Sequence, residues 1–134
     1  MTPPAPSAAR IRKLLAAAKA AQHRAYAPYS KFPVGAALLT KSGRVYTGCN
    51  VENASYGLAI CAERVAVFKA VSEGHRQFIA IAIVAPSSQP TPCGACRQVL
   101  SEFGELTIIC ANSHNLKKMR HFQLSELLPH AFKL

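Results

Sequence analysis

Two apolar runs, Ile79 to Ala85 and Leu106 to Ala111, carry no alternation of polar and apolar residues. A strand of that kind has to be covered on both faces, which places it inside a sheet flanked by other layers. Between them lies a Pro/Ser/Gln-rich loop and a helical segment from about Cys93 to Phe103, so the order is strand, helix, strand. Such a βαβ rhythm implies a layered α/β fold.

The flanking segments fit that frame. Val34 to Thr40 reads as a strand that turns at Lys41-Ser42-Gly43 into Val45 to Asn50, a β-hairpin. Residues 61 to 73 place Ala62, Val65, Ala66 and Ala70 at helical spacing, and Gly74 stands where the helix should end. Near the C-terminus the pattern suggests a turn at Asn112 to Asn115, an edge strand near Lys118 to Phe122 and a short helix starting at Ser125.

At the other end, residues 10 to 27 are basic, free of acids and amphipathic, traits shared by organelle transit peptides. The stripe Ile11, Leu14, Leu15, Ala18 and Ala25 favours a structural first helix instead. Residues 1 to 9, with Pro3, Pro4 and Pro6, read as a flexible tail, and residues 10 to 134 as a single domain, a size that buries an apolar core without disulfides.

Sixteen Lys and Arg face six Glu and no Asp, for a formal net charge of +10. That balance raises the possibility of a nucleic-acid partner. The cations are scattered, however, and no aromatic residues are interleaved among them, which favours a solvated basic surface. Five cysteines, an odd number, together with the absence of a secretory segment, suggest metal or redox chemistry in a reducing compartment and hence a cytoplasmic location. No apolar run approaches the ~20 residues that span a bilayer, so a soluble protein without membrane association is expected.

The chemistry concentrates in Cys61-Ala62-Glu63-Arg64 and Pro92-Cys93-Gly94-Ala95-Cys96, each at a predicted helix start. Pro-Cys-x-x-Cys alone would fit a redox pair or half of a structural zinc site. With Cys61, three thiolates surround Zn²⁺ and leave one of its four positions open, the mark of a catalytic zinc, at which a bound water becomes a hydroxide nucleophile near neutral pH. Glu63 is then free to act as a proton shuttle rather than a ligand. Helix N-termini and Arg64 offset the sulfurs' negative charge. Cys49 and Cys110 read as small core residues, and the histidines at 23, 75, 114, 121 and 130 show no ligand spacing.

These residues resemble the small homotetrameric zinc-dependent cytidine deaminases. The similarity runs from about residue 10 to 132 and includes Tyr29 to Leu38, Gly48 to Ala54, Arg97-Gln98-Val99 and Leu127-Leu128-Pro129. It implies a three-layer α/β/α fold with a central mixed sheet, one zinc per chain, and hydrolysis of cytidine and deoxycytidine to uridine and deoxyuridine with release of ammonia, a pyrimidine-salvage reaction. By the same resemblance, Phe32 packs on the pyrimidine, Asn50 and Glu52 hydrogen-bond the ribose, and Ala62 offers backbone contacts near the base. Tyr56 and Phe132 complete a neighbouring subunit's site, and Arg64 contacts the metal-bound sulfurs. Gly57-Leu58-Ala59-Ile60 departs from the family's usual residues. Two alternatives stay open on the same scaffold: a deaminase of a blasticidin-type nucleoside antibiotic, and a basic RNA-associating cytosine deaminase.

Overall fold

A computed structural model describes residues 4–134. Its elements follow in the order α1 (Ala8–Gln22), β1 (Gly35–Thr40), β2 (Val45–Cys49), α2 (Ala62–Ser72), β3 (Phe78–Ala85), α3 (Gly94–Ser101), β4 (Thr107–Asn112), β5 (Asn115–Gln123) and α4 (Leu124–Leu127). A single 3-10 turn, Tyr56–Leu58, precedes α2. The strands form one sheet in the order β2-β1-β3-β4-β5. Strands β3 and β4 run parallel, with Ala80 opposite Thr107 and Ala85 opposite Asn112, while the other neighbours are antiparallel.

Both apolar runs therefore sit inside a mixed sheet, for the reason their composition suggests. On one face Ala80, Ala82 and Val84 meet Ile11, Leu14, Leu15 and Ala18 of α1. On the other, Ile81 and Ile83 pack with Ala66, Val67 and Ala70 of α2 and Leu100 of α3. The result is three layers, helix on sheet on helices. Each face removes apolar surface from water, a driving force of about 25 cal/mol per Å².

Two glycines set how closely the helices approach. A Cβ on Gly35 would stand 1.9 Å from the Ala18 carbonyl oxygen of α1, and one on Gly48 would stand 2.4 Å from the Ala62 carbonyl oxygen and 2.7 Å from the Ala66 nitrogen. Backbone meets backbone at both places, where only glycine fits. Gly48 thereby presses the first turn of α2 against β2.

Several element ends depart from expectation. Residues 1–3 of the expected tail lie outside the described residues; Ser7 Oγ accepts from Arg10 N at 3.2 Å and starts α1 at Ala8. The helix stops at Gln22 rather than 27, because Tyr26 is drawn into a bridge beside Val51, donating to the Asn50 carbonyl and accepting from Glu52 N. Strand β5 is longer than the predicted 118–122, since the turn is only two residues, held by His114 N donating to Asn112 Oδ1. Helix α4 begins one residue early, where Gln123 and Glu126 form a capping box. Among the described residues no helix is long and apolar enough to cross a membrane.

Gly35→Ala and Gly48→Ala should each destabilise the fold by about 2 kcal/mol or more, because the clash is with helix backbone. Urea denaturation measures this as a lowered midpoint at unchanged slope.

Candidate functional site

Helices α2 and α3 each start at a cysteine. Cys61 and Cys93 are the N-cap residues, both extended, with ψ of 153° and 167°, and neither side chain caps its helix by a hydrogen bond. Cysteine is a poor substitute for Ser, Thr or Asp at that position, so the first-turn N–H groups of both helices are left with the sulfurs as the nearest charge to serve. The buried Cys96 follows one turn into α3.

The three sulfurs converge. Cys61 Sγ lies 3.7 Å from Cys93 Sγ, and Cys93 Sγ lies 3.5 Å from Cys96 Sγ, with all three within 4.8 Å of one another. Two sulfurs on one tetrahedral zinc, at about 2.3 Å each, would be about 3.8 Å apart. Soft donors, three in number and at that separation, fit Zn²⁺ and leave one position for a non-protein group. Among the described residues no histidine belongs to a metal-binding group.

Neighbouring charges sort the protonation states of this cluster. A hydrogen bond with Cys96 and then the adjacent Arg64 guanidinium lower the Cys61 thiol to about 5. Cys96 moves the other way, because it donates to Cys61 and is buried. Arg64 Nη2 donates to Cys61 Sγ at 3.2 Å, which holds its proton more tightly, while its Nε is buried with no partner. Glu63, 4% exposed, has its carboxyl raised to about 7, chiefly by burial and further by the Cys61 charge. Burial likewise pushes Cys110 up to about 12, with Glu63 adding to the shift; it stays a neutral core thiol.

A cavity of about 560 Å³ opens over this cluster, and Phe32, Asn50, Cys61, Ala62, Glu63 and Cys93 all line it. Phe32 is 41% exposed, so its ring is available to a flat ligand. Ala62 is fully buried, borders the cavity and has its carbonyl against Gly48; its N–H, the first of α2, has no acceptor within the helix. The Asn50 amide braces the wall: Nδ2 donates to the Phe32 carbonyl at 2.9 Å and Oδ1 accepts from Val34 N at 2.9 Å. One Nδ2 hydrogen remains for another acceptor.

The other expected residues lie apart. Glu52 and Tyr56 line a neighbouring cavity of about 350 Å³ with Tyr29 and Ser30, and Ser30 borders both cavities. The Glu52 carboxylate accepts from the Ser30 hydroxyl, from Ser30 N at 3.1 Å and from Tyr29 N at 2.9 Å, contacts led by the hydroxyl that hold it below the usual carboxylate range. Tyr56 is 77% exposed and meets only the Tyr29 ring edge-on, at 5.9 Å. Phe132 is 69% exposed and sits beside Gln98, away from the cavity over the thiols.

Sequence reasoning assigned no role to Tyr29 or Ser30, although both bind the Glu52 carboxylate. Their spacing from Glu52, more than twenty residues, carries no periodic signal. Arg97 was likewise passed over, yet its guanidinium donates to the Pro92 carbonyl at 2.7 Å, directly before Cys93.

The chain is similar to known proteins over most of its length. Residues 9–112 match the family model described as the cytidine and deoxycytidylate deaminase zinc-binding region. A cytidine deaminase of Sporosarcina psychrophila is 50% identical over 125 residues, covering 91% of this chain and 90% of that one. One from Halalkalibacterium halodurans is 52% identical over 115 residues, covering 84% and 86%. A crystal structure of cytidine deaminase from Burkholderia pseudomallei superposes with a TM-score of 0.85 at 52% identity, covering 90% of this chain and 98% of that one.

Replacing Cys61, Cys93 or Cys96 with Ala one at a time should lower bound zinc from one per chain toward zero, because two thiolates hold the ion far less tightly than three. Atomic absorption on purified protein measures it; full occupancy in any of the three variants would remove that cysteine from the ligand set.

Proposed function

The chain belongs to the cytidine and deoxycytidylate deaminase zinc-binding family, and on that premise we propose that it hydrolyses free cytidine and deoxycytidine to uridine and deoxyuridine with release of ammonia. The observation that carries this reading is the buried Glu63 carboxyl beside three converging thiols, all of them on or next to one cavity. Bound zinc supplies Lewis acidity at its open position.

The chain's own residues do the rest. Glu63, buried beside the thiols, takes the proton of the attacking water and passes it to ring N3, then takes the proton of the new C4 hydroxyl and delivers it to the exocyclic amine as it leaves C4. One water is consumed and one ammonia released. Arg64 draws negative charge from Cys61, which keeps the three-sulfur set from overwhelming the metal's positive charge. Phe32 stacks on the pyrimidine, and the Ala62 backbone contacts the base. Asn50 supplies its remaining hydrogen to the ribose. Glu52, in the adjoining cavity that shares Ser30 with this one, accepts a hydrogen bond from the sugar.

A homotetramer in the cytoplasm, serving pyrimidine salvage, completes the reading. Its support is the exposure of large apolar side chains outside the cavity over the thiols: Tyr56 at 77%, Leu58 at 71% and Phe132 at 69%. Covering them against another copy removes that surface from water and brings Tyr56 and Phe132 to a neighbour's site.

Glu63→Gln should keep zinc and fold while lowering kcat by at least about a hundredfold, because the amide retains the shape but carries no transferable proton. Ammonia release together with zinc content measures it, and near-normal turnover would reassign the proton shuttle. Light scattering should find four copies per particle, and a fully active monomer would overturn the proposed assembly.

A further inference from the structure

Helix α3 provides two of the three thiols from its N-terminal turn, and its next two residues hold the C-terminal segment. Arg97 Nε donates to the Pro92 carbonyl at 2.7 Å and its Nη1 to the Leu127 carbonyl at 2.8 Å. Gln98 Nε2 donates to the Phe132 carbonyl at 3.2 Å. Pro92 is buried and immediately precedes Cys93; Leu127 is the last residue of α4.

We propose that Arg97 is a positioning residue that fastens the Cys93 loop and the C-terminal segment to each other, and that Gln98 extends the same tie to Phe132. The inference rests on the zinc-site reading above. A proline has no N–H to tie down, so the loop before Cys93 is anchored through its carbonyl, and Arg97 is the donor that reaches it. The planar guanidinium holds its donors in a fixed fork, so the two acceptors are fixed relative to each other as well as to α3. Cys93 cannot swing away from Cys61 without stretching the bond to Pro92, and α4 cannot shift without straining the same group. Loss of the arginine also leaves the buried Pro92 carbonyl without a donor. Coupling of this kind is reciprocal: order at the thiols favours order at the C-terminus, and the reverse.

A lysine does not replace the fork. Its ammonium is a point donor on a flexible stem and reaches one carbonyl at a time. Gln98 is separable in turn, since it touches Phe132 and neither Pro92 nor a thiol.

The test uses zinc-loaded wild type, Arg97→Ala, Arg97→Lys and Gln98→Ala. Zinc release into a chromogenic chelator, hydrogen exchange of residues 128–134, and kcat and KM for cytidine are followed. Arg97→Ala should release zinc about tenfold faster, the usual scale for removing a group that orients a ligand, and exchange faster throughout 128–134. Arg97→Lys should recover at most one of these two effects. Gln98→Ala should speed exchange around Phe132 and raise KM with kcat kept, while zinc release stays within about twofold of wild type. Stripping zinc from wild type should speed the same C-terminal exchange. Unchanged zinc release in Arg97→Ala, full recovery of both effects by lysine, or C-terminal exchange indifferent to zinc would each overturn the coupling. If Arg97→Ala fails to fold, the lysine and Gln98 variants decide by the same criteria. Wild type that binds no zinc would instead refute the metal reading, and the exchange comparison between wild type and Arg97→Lys would still test the tie.

Discussion

Three sulfur atoms within 4.8 Å of one another can be charged together only if positive charge reaches them from outside the cluster. Much of this architecture answers that constraint. Two helices begin at these thiols, so the positive ends of their dipoles lie beside the sulfurs, and Arg64 adds a formal charge at 3.2 Å from Cys61 Sγ. Such convergence requires α2 and α3 to begin at the same edge of the sheet. The parallel pairing of β3 with β4 achieves this for α3, the crossover between them, because the loop leading into it leaves from the end of β3. For α2 the register is set by Gly48, whose missing side chain lets the Ala62 turn lie directly on β2.

The same placement creates the acid. Glu63 stands two residues after Cys61, on the first turn of α2, and the close packing that fixes this turn also removes the carboxyl from water. Burial and the Cys61 charge then raise it to about 7, while Arg64 and its sulfur partners hold Cys61 near 5. Burial thus favours the protonated form of the carboxyl, while the Arg64 guanidinium favours the thiolate form of Cys61 two positions before it.

What the sequence disclosed and what it hid differ by the range of the interactions concerned. The runs Ile79 to Ala85 and Leu106 to Ala111 announce central strands because burial on both faces dictates composition residue by residue. Cys61, Cys93 and Cys96 stand out because few other uses need three cysteines at helix starts. The end of α1 was illegible, since the backbone pairing of Tyr26 with Asn50 and Glu52 that stops it leaves no mark on apolar periodicity. The structural duties of Asn50 and Glu52 were illegible. Both were assigned to a sugar, yet each also holds the Tyr29 to Val34 loop by hydrogen bonds across long stretches of chain. Tyr56 and Phe132 stay outside the cavity over the thiols and are largely exposed.

The scarcity of acids follows a similar logic. Of six glutamates, Glu52 pins the loop beside the cavity, Glu63 sits at the metal cluster, and Glu73 accepts from the Tyr46 hydroxyl. Glu105 accepts from Ser125 N at the start of α4, and Glu126 from Gln123 N in the capping box. Five of the six therefore have a defined hydrogen-bonding or buried environment, and Glu102 is the exception. Carboxylates occur here where a backbone amide, a hydroxyl or the reaction calls for one, and are otherwise nearly absent. A net charge of +10 arises from that absence as much as from any concentration of cations. Most of the basic residues then face water, and solvent screening keeps the cost of their mutual repulsion small. This is why the charge balance, the most conspicuous feature of the composition, says little about the chemistry, whereas the position of each glutamate says a good deal.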